Sequence, residues 1–397
     1  MPLVLPLSDL DLFIRVARKI SKKTDPEIFN GILFHNGTLT CRSFTCSIHL
    51  TVAGAGAHTP FVLNRTDLAE FIKMADMGTS VSLHEAGCVE LTVAGVPASK
   101  TLVPLDADRF PEVFPSKPRF SGEYVSAPQY IDLAGLTDIR QALTCASDSE
   151  TRAILNSILF RPVSRGQVRI GGTDGHRLFY SAPYYFTGLE HELVLPALPV
   201  FEMAWPWIDT WMLDYTIVEK EIQGSGKPDT KIEPEFIRIR TGAWTIVTKS
   251  VTDSRYPDFN HVLRKDPPLA SARFKDADTV KRLRKTLTQL QRGNNGAHVI
   301  EICINGEVTL SRDGIIIPVP GTEISKAENI PAIRAAFNAD LLTAVIPENA
   351  TGIELRGVGA PGTILTNTRG LFLLMPVQAA VPQSPDASAE TPTEAKA

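Results

Sequence analysis

The sequence predicts an α+β chain in which one unit, two helices packed on antiparallel β-sheet, is repeated three times. Strand–turn–strand signals start near residues 32, 158 and 300. An amphipathic helix pattern precedes each of them. The closing motif Arg109-Phe110-Pro111-Glu112 is echoed by Arg255-Tyr256-Pro257-Asp258. A chain of 397 residues is long enough for two or three domains. With 43% hydrophobic and 21% charged residues it can bury a sizeable core.

The first hairpin reads Ile32-Leu33-Phe34-His35-Asn36-Gly37-Thr38-Leu39-Thr40. Asn-Gly between two β-rich runs is a strong hairpin signal. The second runs from Ile158-Leu159-Phe160 through Ser164-Arg165-Gly166 into Val168-Arg169-Ile170, and the third from Ile300–Ile304 through Asn305-Gly306 into Val308-Thr309-Leu310. Before the first, Ser8 is the expected N-cap, with Asp11 three residues on. Leu10, Phe13, Ile14 and Ala17 then form a stripe at i, i+3, i+4, i+7. Leu136, Ile139 and Leu143 do the same before the second hairpin. Val280, Leu283, Leu287 and Leu290 do so before the third. A second short helix is expected after each hairpin, over Thr66–Ala75, Ala197–Trp205 and Ala339–Val345. The third unit closes on a strand, Gly370–Pro376. Gln223–Glu235 reads as an exposed loop. Residues after Gln378, rich in Ala, Pro, Ser, Thr and Glu, read as a disordered tail.

Several function classes fall away. Forty Lys+Arg against 44 Asp+Glu give a net charge of -4, which argues against a simple basic nucleic-acid binder. No apolar run reaches the roughly 20 residues that span a bilayer. The start, MPLVLPLSDLDLF, lacks a basic region and a small-residue cleavage site, so a cytoplasmic protein is expected. Cys41, Cys46, Cys88, Cys145 and Cys303 are scattered, and none forms C-x-x-C. They read as reduced, mostly buried residues rather than disulfides or a zinc site. Gly54-Ala55-Gly56 lacks the dinucleotide-loop spacing, and Gly224-Ser225-Gly226 lacks the strand-to-helix context of a nucleophile elbow. No G-x-x-x-x-G-K-[ST] loop occurs. His35, His49 and His58 show no metal spacing, and no metal or cofactor is expected.

Two helices carry a second, basic stripe. Arg15, Arg18, Lys19 and Lys22 follow i, i+3, i+4, i+7, with Lys23 beside them. Lys281, Arg284 and Lys285 repeat part of the pattern, with Arg282 and Arg292 nearby. Such a face can neutralise phosphates without reading bases. A merely solvated helix face is the alternative. The matching second-unit helix offers only Arg140. The other distinctive motif is Gly172-Thr173-Asp174-Gly175-His176-Arg177-Leu178. Asp174 and His176 are conceivable as metal ligands or an acid–base pair. No second ligand cluster accompanies them, and a turn between strands is the plainer reading.

The run Ser149–Phe160 with Thr173–Leu178 resembles the middle domain of the bacterial β sliding clamp, the processivity subunit of DNA polymerase III. Asp253–Phe259 resembles the end of that domain, and Leu373-Leu374-Met375-Pro376-Val377 the family's C-terminal strand. Leu102–Phe114 carries the first-domain likeness, and the whole covers residues 1–378. The resemblance implies clamp domains at 1–121, 122–262 and 263–378, followed by a tail at 379–397. It also implies a head-to-tail homodimer whose six domains ring duplex DNA without sequence preference. Such a chain is a non-enzymatic tether for the polymerase and faces DNA with Arg15, Arg18, Lys19, Lys22, Lys23, Lys281, Arg284 and Lys285.

The family's hydrophobic groove takes short peptides of the polymerase III alpha subunit, of clamp-loader subunits and of other proteins bearing the clamp-binding motif. Matching positions are Leu155, Thr173, Gly175, His176, Arg177, Leu178, Pro257 and Val262, with Leu373, Leu374, Met375 and Pro376 as the other wall. The helix end at Gln289 and Leu290 falls where the family makes its dimer contact, Leu290 being the apolar candidate. The chain departs from the family at Met375-Pro376-Val377-Gln378, where Met-Pro-Met-Arg/Lys-Leu is usual, and at Ala153 and Ile154 near the DNA face. These mark a divergent member. A clamp-fold scaffold that binds peptides without encircling DNA, and a hydrolase built on Asp174 and His176, are the competing readings.

Overall fold

Each predicted hairpin turn uses positive backbone φ. Asn36 and Gly37 stand at 47° and 69°, Gly166 at 73° and Gly306 at 74°. The computed structural model describes residues 2–21, 26–53, 59–112, 114, 124–164, 166–186, 189–203, 211–221, 230–252, 255–263, 266–291, 299–328, 330, 332–357, 359–367 and 370–377. The chain divides into two units, Met1–Arg264 with Thr368–Leu371, and Lys265–Asn367 with Phe372–Ala397.

The first unit runs β1 (Leu3–Pro6), α1 (Leu7–Ile20), β2 (Gly31–His35), β3 (Thr38–Arg42), β4 (Cys46–Thr51), β5 (Phe61–Asn64), α2 (Arg65–Ile72), β6 (Ser80–Leu83), β7 (Cys88–Val93), β8 (Val96–Thr101) and β9 (Pro104–Leu105). It continues with β10 (Tyr124–Val125), β11 (Gln129–Ile131), α3 (Leu133–Cys145), β12 (Ser157–Ser164), β13 (Gln167–Thr173), β14 (Arg177–Tyr180), β15 (Tyr184–Tyr185), β16 (Leu193–Pro196), β17 (Trp211–Glu221), β18 (Thr230–Thr241) and β19 (Trp244–Lys249). The second unit holds β20 (Ala270–Phe274), α4 (Ala277–Gln291), β21 (Val299–Ile304), β22 (Val308–Arg312), β23 (Ile315–Val319), β24 (Thr322–Lys326), β25 (Ile333–Asn338), α5 (Ala339–Val345), β26 (Ala350–Leu355), β27 (Gly362–Thr366) and β28 (Leu371–Leu374).

The hairpins of all three repeats are antiparallel ladders. In the first unit one sheet has the order β1-β6-β7-β8, and a longer one runs β10-β17-β18-β19-β4-β3-β2-β5-β9 with β11 beside β17. A third brings β16-β12-β13-β14 together, with β15 on β13. In the second unit the sheets are β28-β27-β26-β20-β24 and β23-β22-β21-β25. The boundary expected at 121/122 falls inside the first unit. The reason is visible in the pairing of β19 with β4, Trp244 opposite Leu50 and Ile246 opposite Ile48. That ladder runs one sheet through both of the first two repeats, so compactness does not separate them.

Leu10, Phe13, Ile14 and Ala17 of α1 are all buried, and Phe13 stacks on Trp244 at 5.7 Å. Each large apolar side chain so buried contributes about 2–3 kcal/mol. Val280, Leu283, Leu287 and Leu290 are buried on α4 in the same way. Three expectations are corrected. Ser8 does not cap α1: the helix begins at Leu7 after Pro6, and Leu7 N–H donates instead to Thr79 O at 3.0 Å. The helix expected over Ala197–Trp205 is a single 3-10 turn, Pro199–Glu202, among the described residues. Arg140 takes the carbonyls of Phe201 and Met203 that a longer helix would use, and Ala204 and Trp205 lie outside the described residues. The loop expected over Gln223–Glu235 gives way at Thr230 to β18, whose Ile232 faces Glu219 across the ladder. Charged cross-strand residues there hid the strand signal.

Candidate functional site

On α1 the apolar stripe faces the core, which turns Arg15, Arg18 and Lys19 outward. Lys22 and Lys23 lie outside the described residues. Asp11, one turn earlier, holds Arg15 at 3.0 Å. Arg18 and Lys19 have no ion-pair partner among the described residues. On α4, Lys281 and Lys285 are exposed and likewise unpaired, while Arg284 meets Glu348 at 2.8 Å. Arg292 lies outside the described residues.

Both basic helices end on a buried arginine. Arg65 donates to Ala17 O at 2.6 Å, to Ser21 Oγ and to Asn30 Oδ1 at 2.8 Å. Arg312 donates to Leu290 O and to Gln291 O at 3.2 Å. A cation against the last carbonyls satisfies unpaired acceptors and opposes the negative end of the helix dipole. Sequence reasoning missed these two residues, since each lies far along the chain from the helix it caps. Arg140 of α3 differs again. Its guanidinium is occupied by Phe201 O at 2.9 Å and Met203 O at 3.1 Å.

The Gly172–Leu178 motif forms a tight turn between β13 and β14. Asp174 Oδ1 accepts from the N–H groups of His176 and Arg177 at 2.8 and 2.9 Å, and Oδ2 meets Arg177 Nε at 2.8 Å. Thr173 Oγ1 donates to Arg177 O at 2.7 Å and accepts from Gly175 N–H at 3.1 Å. Gly175, with φ of 94°, supplies the conformation that this turn needs. Asp174 is therefore consumed in shaping the turn. Leu178 is buried, Arg177 half-buried, and Gly175 and His176 exposed. Gly172 lets α3 lie directly on β13, because a Cβ there would collide with Ala142 O.

The Arg255–Asp258 motif is tied to the same unit. Buried Tyr256 donates to Ser157 O at 3.1 Å, and Tyr180 and Tyr256 both meet Phe259 edge-on. Arg161 joins Glu192 at 2.6 Å, Asp258 at 3.3 Å and Pro257 O at 3.3 Å. Pro257 is exposed, and Val262 and Leu155 are half-buried. In the second unit Leu373 and Leu374 are buried, Pro376 is half-buried, and Met375 is 41% exposed. Val377 N–H donates to Ala336 O at 2.8 Å, which ties this segment to β25. Leu290, the apolar candidate for a subunit contact, is only 7% exposed. It continues the buried stripe of Leu283 and Leu287, so most of its surface is already used within its own unit.

A cavity of about 720 Å³ opens in the first unit near the ends of α1 and α3, lined among others by Lys19, Phe44, Asp148, Leu198 and Glu202. No residue of the expected groove lines it. Burial pushes the thiols of Cys46 and Cys145 up to about 11 and about 12 and raises that of Cys41 further, so these cysteines are poor nucleophiles. His49 is buried against Thr40 Oγ1 at 3.1 Å, and desolvation lowers its pKa to about 4. Among the described residues no three His, Cys, Asp or Glu side chains gather as a metal site, and no helix is long and apolar enough to cross a membrane.

No family model matches the sequence, and no curated protein matches it. Solved structures do. A β sliding clamp from C. crescentus is 18% identical with a TM-score of 0.71, covering 96% of this chain and 99% of that one. The DNA polymerase III β subunit of Thermotoga maritima is 18% identical with a TM-score of 0.72, covering 96% and 100%. A DNA polymerase sliding clamp from Bacillus subtilis is 16% identical with a TM-score of 0.70, covering 95% and 98%. The chain has the sliding-clamp fold. At this identity the sliding-clamp likeness resides in the order of helices and sheets, with most side chains replaced. The clamp fold accounts for helices and strands along nearly the whole chain, including the segments where the sequence likeness is thin.

Proposed function

We propose that this chain is the protomer of a DNA sliding clamp: a non-enzymatic, cytoplasmic, head-to-tail homodimer that encircles duplex DNA and tethers a replicative polymerase. The observation that carries the reading is the clamp fold over 96% of the chain together with outward basic faces on α1 and α4. A ring retains DNA by topology, so a few phosphate contacts suffice and base contacts are unnecessary. The net charge of -4 is compatible with positive charge concentrated on two helices.

Two sheet edges with no further strand among the described residues support the dimer. β8 ends its sheet with Val96 63% exposed, and β23 ends another with Ile315 and Ile316 57% and 68% exposed. Exposed apolar edge strands invite pairing with another chain. Joining β8 of one copy to β23 of the next is a heterologous contact, the kind that closes into rings. In this reading these edges, more than the buried Leu290, form the dimer contact.

The partner groove is proposed on Leu155, Thr173, Gly175, His176, Arg177, Leu178, Pro257 and Val262, with Leu373, Met375 and Pro376 as the second set. Its ligands are short motifs of the polymerase III alpha subunit, of clamp-loader subunits and of other clamp-binding proteins. The test begins with mass in solution, where a dimer is expected. Loaded protein should be retained on nicked circular DNA, and linearisation should release it. Equal retention on both forms, or a monomer at all concentrations, defeats the ring. The neutral surface of α3 favours a second reading, a peptide-binding scaffold that does not encircle DNA. Changing Arg15, Arg18, Lys281 and Arg284 together to Glu separates the two. Loading collapses under the first reading and is indifferent under the second.

A further inference from the structure

The two basic helices share a feature beyond their positive charge. Each has one arginine, mid-helix, already engaged by a carboxylate. Arg15 Nε lies 3.0 Å from Asp11 Oδ2 on the same helix. Arg284 Nη1 lies 2.8 Å from Glu348 Oε1, which reaches α4 from the segment after α5. The two carboxylates come from unrelated positions in the sequence, yet they produce the same local arrangement. The pairs are also exposed, Asp11 by 51% and Glu348 by 89% of their side-chain surface. Pairs this exposed add little to folding stability. Stability alone therefore gives no account of why both stripes carry one.

We infer that Asp11 and Glu348 are attenuators of phosphate binding: each holds one arginine of a basic helix away from the DNA backbone and sets an anion in its stripe. The inference rests on the DNA-encircling reading above and adds a subdivision of its basic face. Arg18, Lys19, Lys281 and Lys285, without ion-pair partners among the described residues, engage the phosphates. Arg15 and Arg284 contribute weakly. A phosphate approaching either arginine must displace the carboxylate or lie beside it, and two anions a few ångströms apart repel. Screening does not remove this effect, because the Debye length at physiological salt is about 8 Å, longer than these separations. A ring that must slide benefits from engaging fewer phosphates, since each one makes binding tighter and more salt-dependent.

The test is equilibrium binding to a short blunt duplex that a ring can thread, followed by fluorescence anisotropy over a salt series. The proteins are the unaltered full chain, Asp11→Asn, Glu348→Gln, the double variant and Asp108→Asn. Asp108 is exposed in a 3-10 turn near the end of the first repeat and belongs to neither basic helix, so Asp108→Asn removes the same charge elsewhere in the chain. Each attenuator substitution should steepen the dependence of log K on log salt, by about 0.9 for each additional phosphate neutralised. The double variant should bind several-fold tighter at low salt. Asp108→Asn should match the unaltered chain, and thermal midpoints should agree throughout. Salt-dependent binding by the unaltered chain with slopes unchanged in Asp11→Asn and Glu348→Gln overturns the attenuator role alone. Slopes that rise equally in Asp108→Asn also overturn it, by making net charge the cause. No salt-dependent binding by any of the five proteins overturns both this inference and the ring.

Discussion

α3 and α4 hold matching places in the chain, each after a strand and before a hairpin, yet only α4 presents cations outward. α4 exposes Lys281 and Lys285 and keeps its apolar stripe inside. α3 has a single arginine, and that arginine points its donors at the carbonyls of Phe201 and Met203. What it exposes instead is Leu133, at 61%, with Thr137 half-buried one turn on. Under the proposed DNA-encircling reading, a basic residue on such a helix can serve a phosphate only if its donors are also uncommitted. The same distinction recurs within α1 and α4, where Arg18 and Lys281 lack ion pairs among the described residues and Arg15 and Arg284 are held by carboxylates.

The largest effects on DNA binding are expected at the uncommitted cations. Neutralising Arg18 and Lys281 to Gln should lower the salt slope of duplex binding by about 0.9 for each phosphate no longer neutralised. Arg15→Gln combined with Arg284→Gln should lower it distinctly less, measured in the same titration. Equal reductions from the two pairs would mean that ion pairing on the helix surface does not matter to DNA. Arg140 gives the opposite signature. Arg140→Met leaves two carbonyls without their charged donor and should cost about 2 kcal/mol of stability in denaturant unfolding. Its salt slope should stay where it was, because the donors of Arg140 are taken by Phe201 O and Met203 O.

Much of this could be read from the sequence. The apolar stripes of α1 and α4 follow helical spacing so regularly that burial, and with it the outward placement of Arg18 and Lys281, follows from periodicity. The Asp174-Gly175 turn is local chemistry, and local chemistry is legible. The commitment of each cation is not. Arg140 finds carbonyls 61 and 63 residues away, and Arg284 finds Glu348 across 64 residues. Arg65 and Arg312 cap helix ends from 48 and 22 residues away. No spacing rule reaches that far, so the pattern of positive charges along the chain does not distinguish those that are free. Leu290 shows the converse. The family resemblance implies a subunit contact near it, while its position three residues after Leu287 buries most of it within its own unit. The open edges β8 and β23 also depend on sheet order, which only the folded chain fixes.

The smallest expected effect comes from giving α3 what it lacks. Thr137 lies four residues after exposed Leu133 and three before Arg140, so it shares their side of the helix. Its hydroxyl donates to Leu133 O, 2.8 Å back along the same helix. Such a bond adds little to a helix whose backbone is already paired, so Thr137→Lys should fold normally. A lysine there is long enough to carry its ammonium clear of the surface while its stem lies along it. If α3 runs along the DNA as α1 and α4 are proposed to, this variant should steepen the salt slope by somewhat less than the 0.9 or so of a fully neutralised phosphate. If α3 stands away from the phosphates, the slope will not move. An unchanged slope here, alongside a clear reduction in the Arg18 and Lys281 variant, would confine DNA binding to two of the three matching helices.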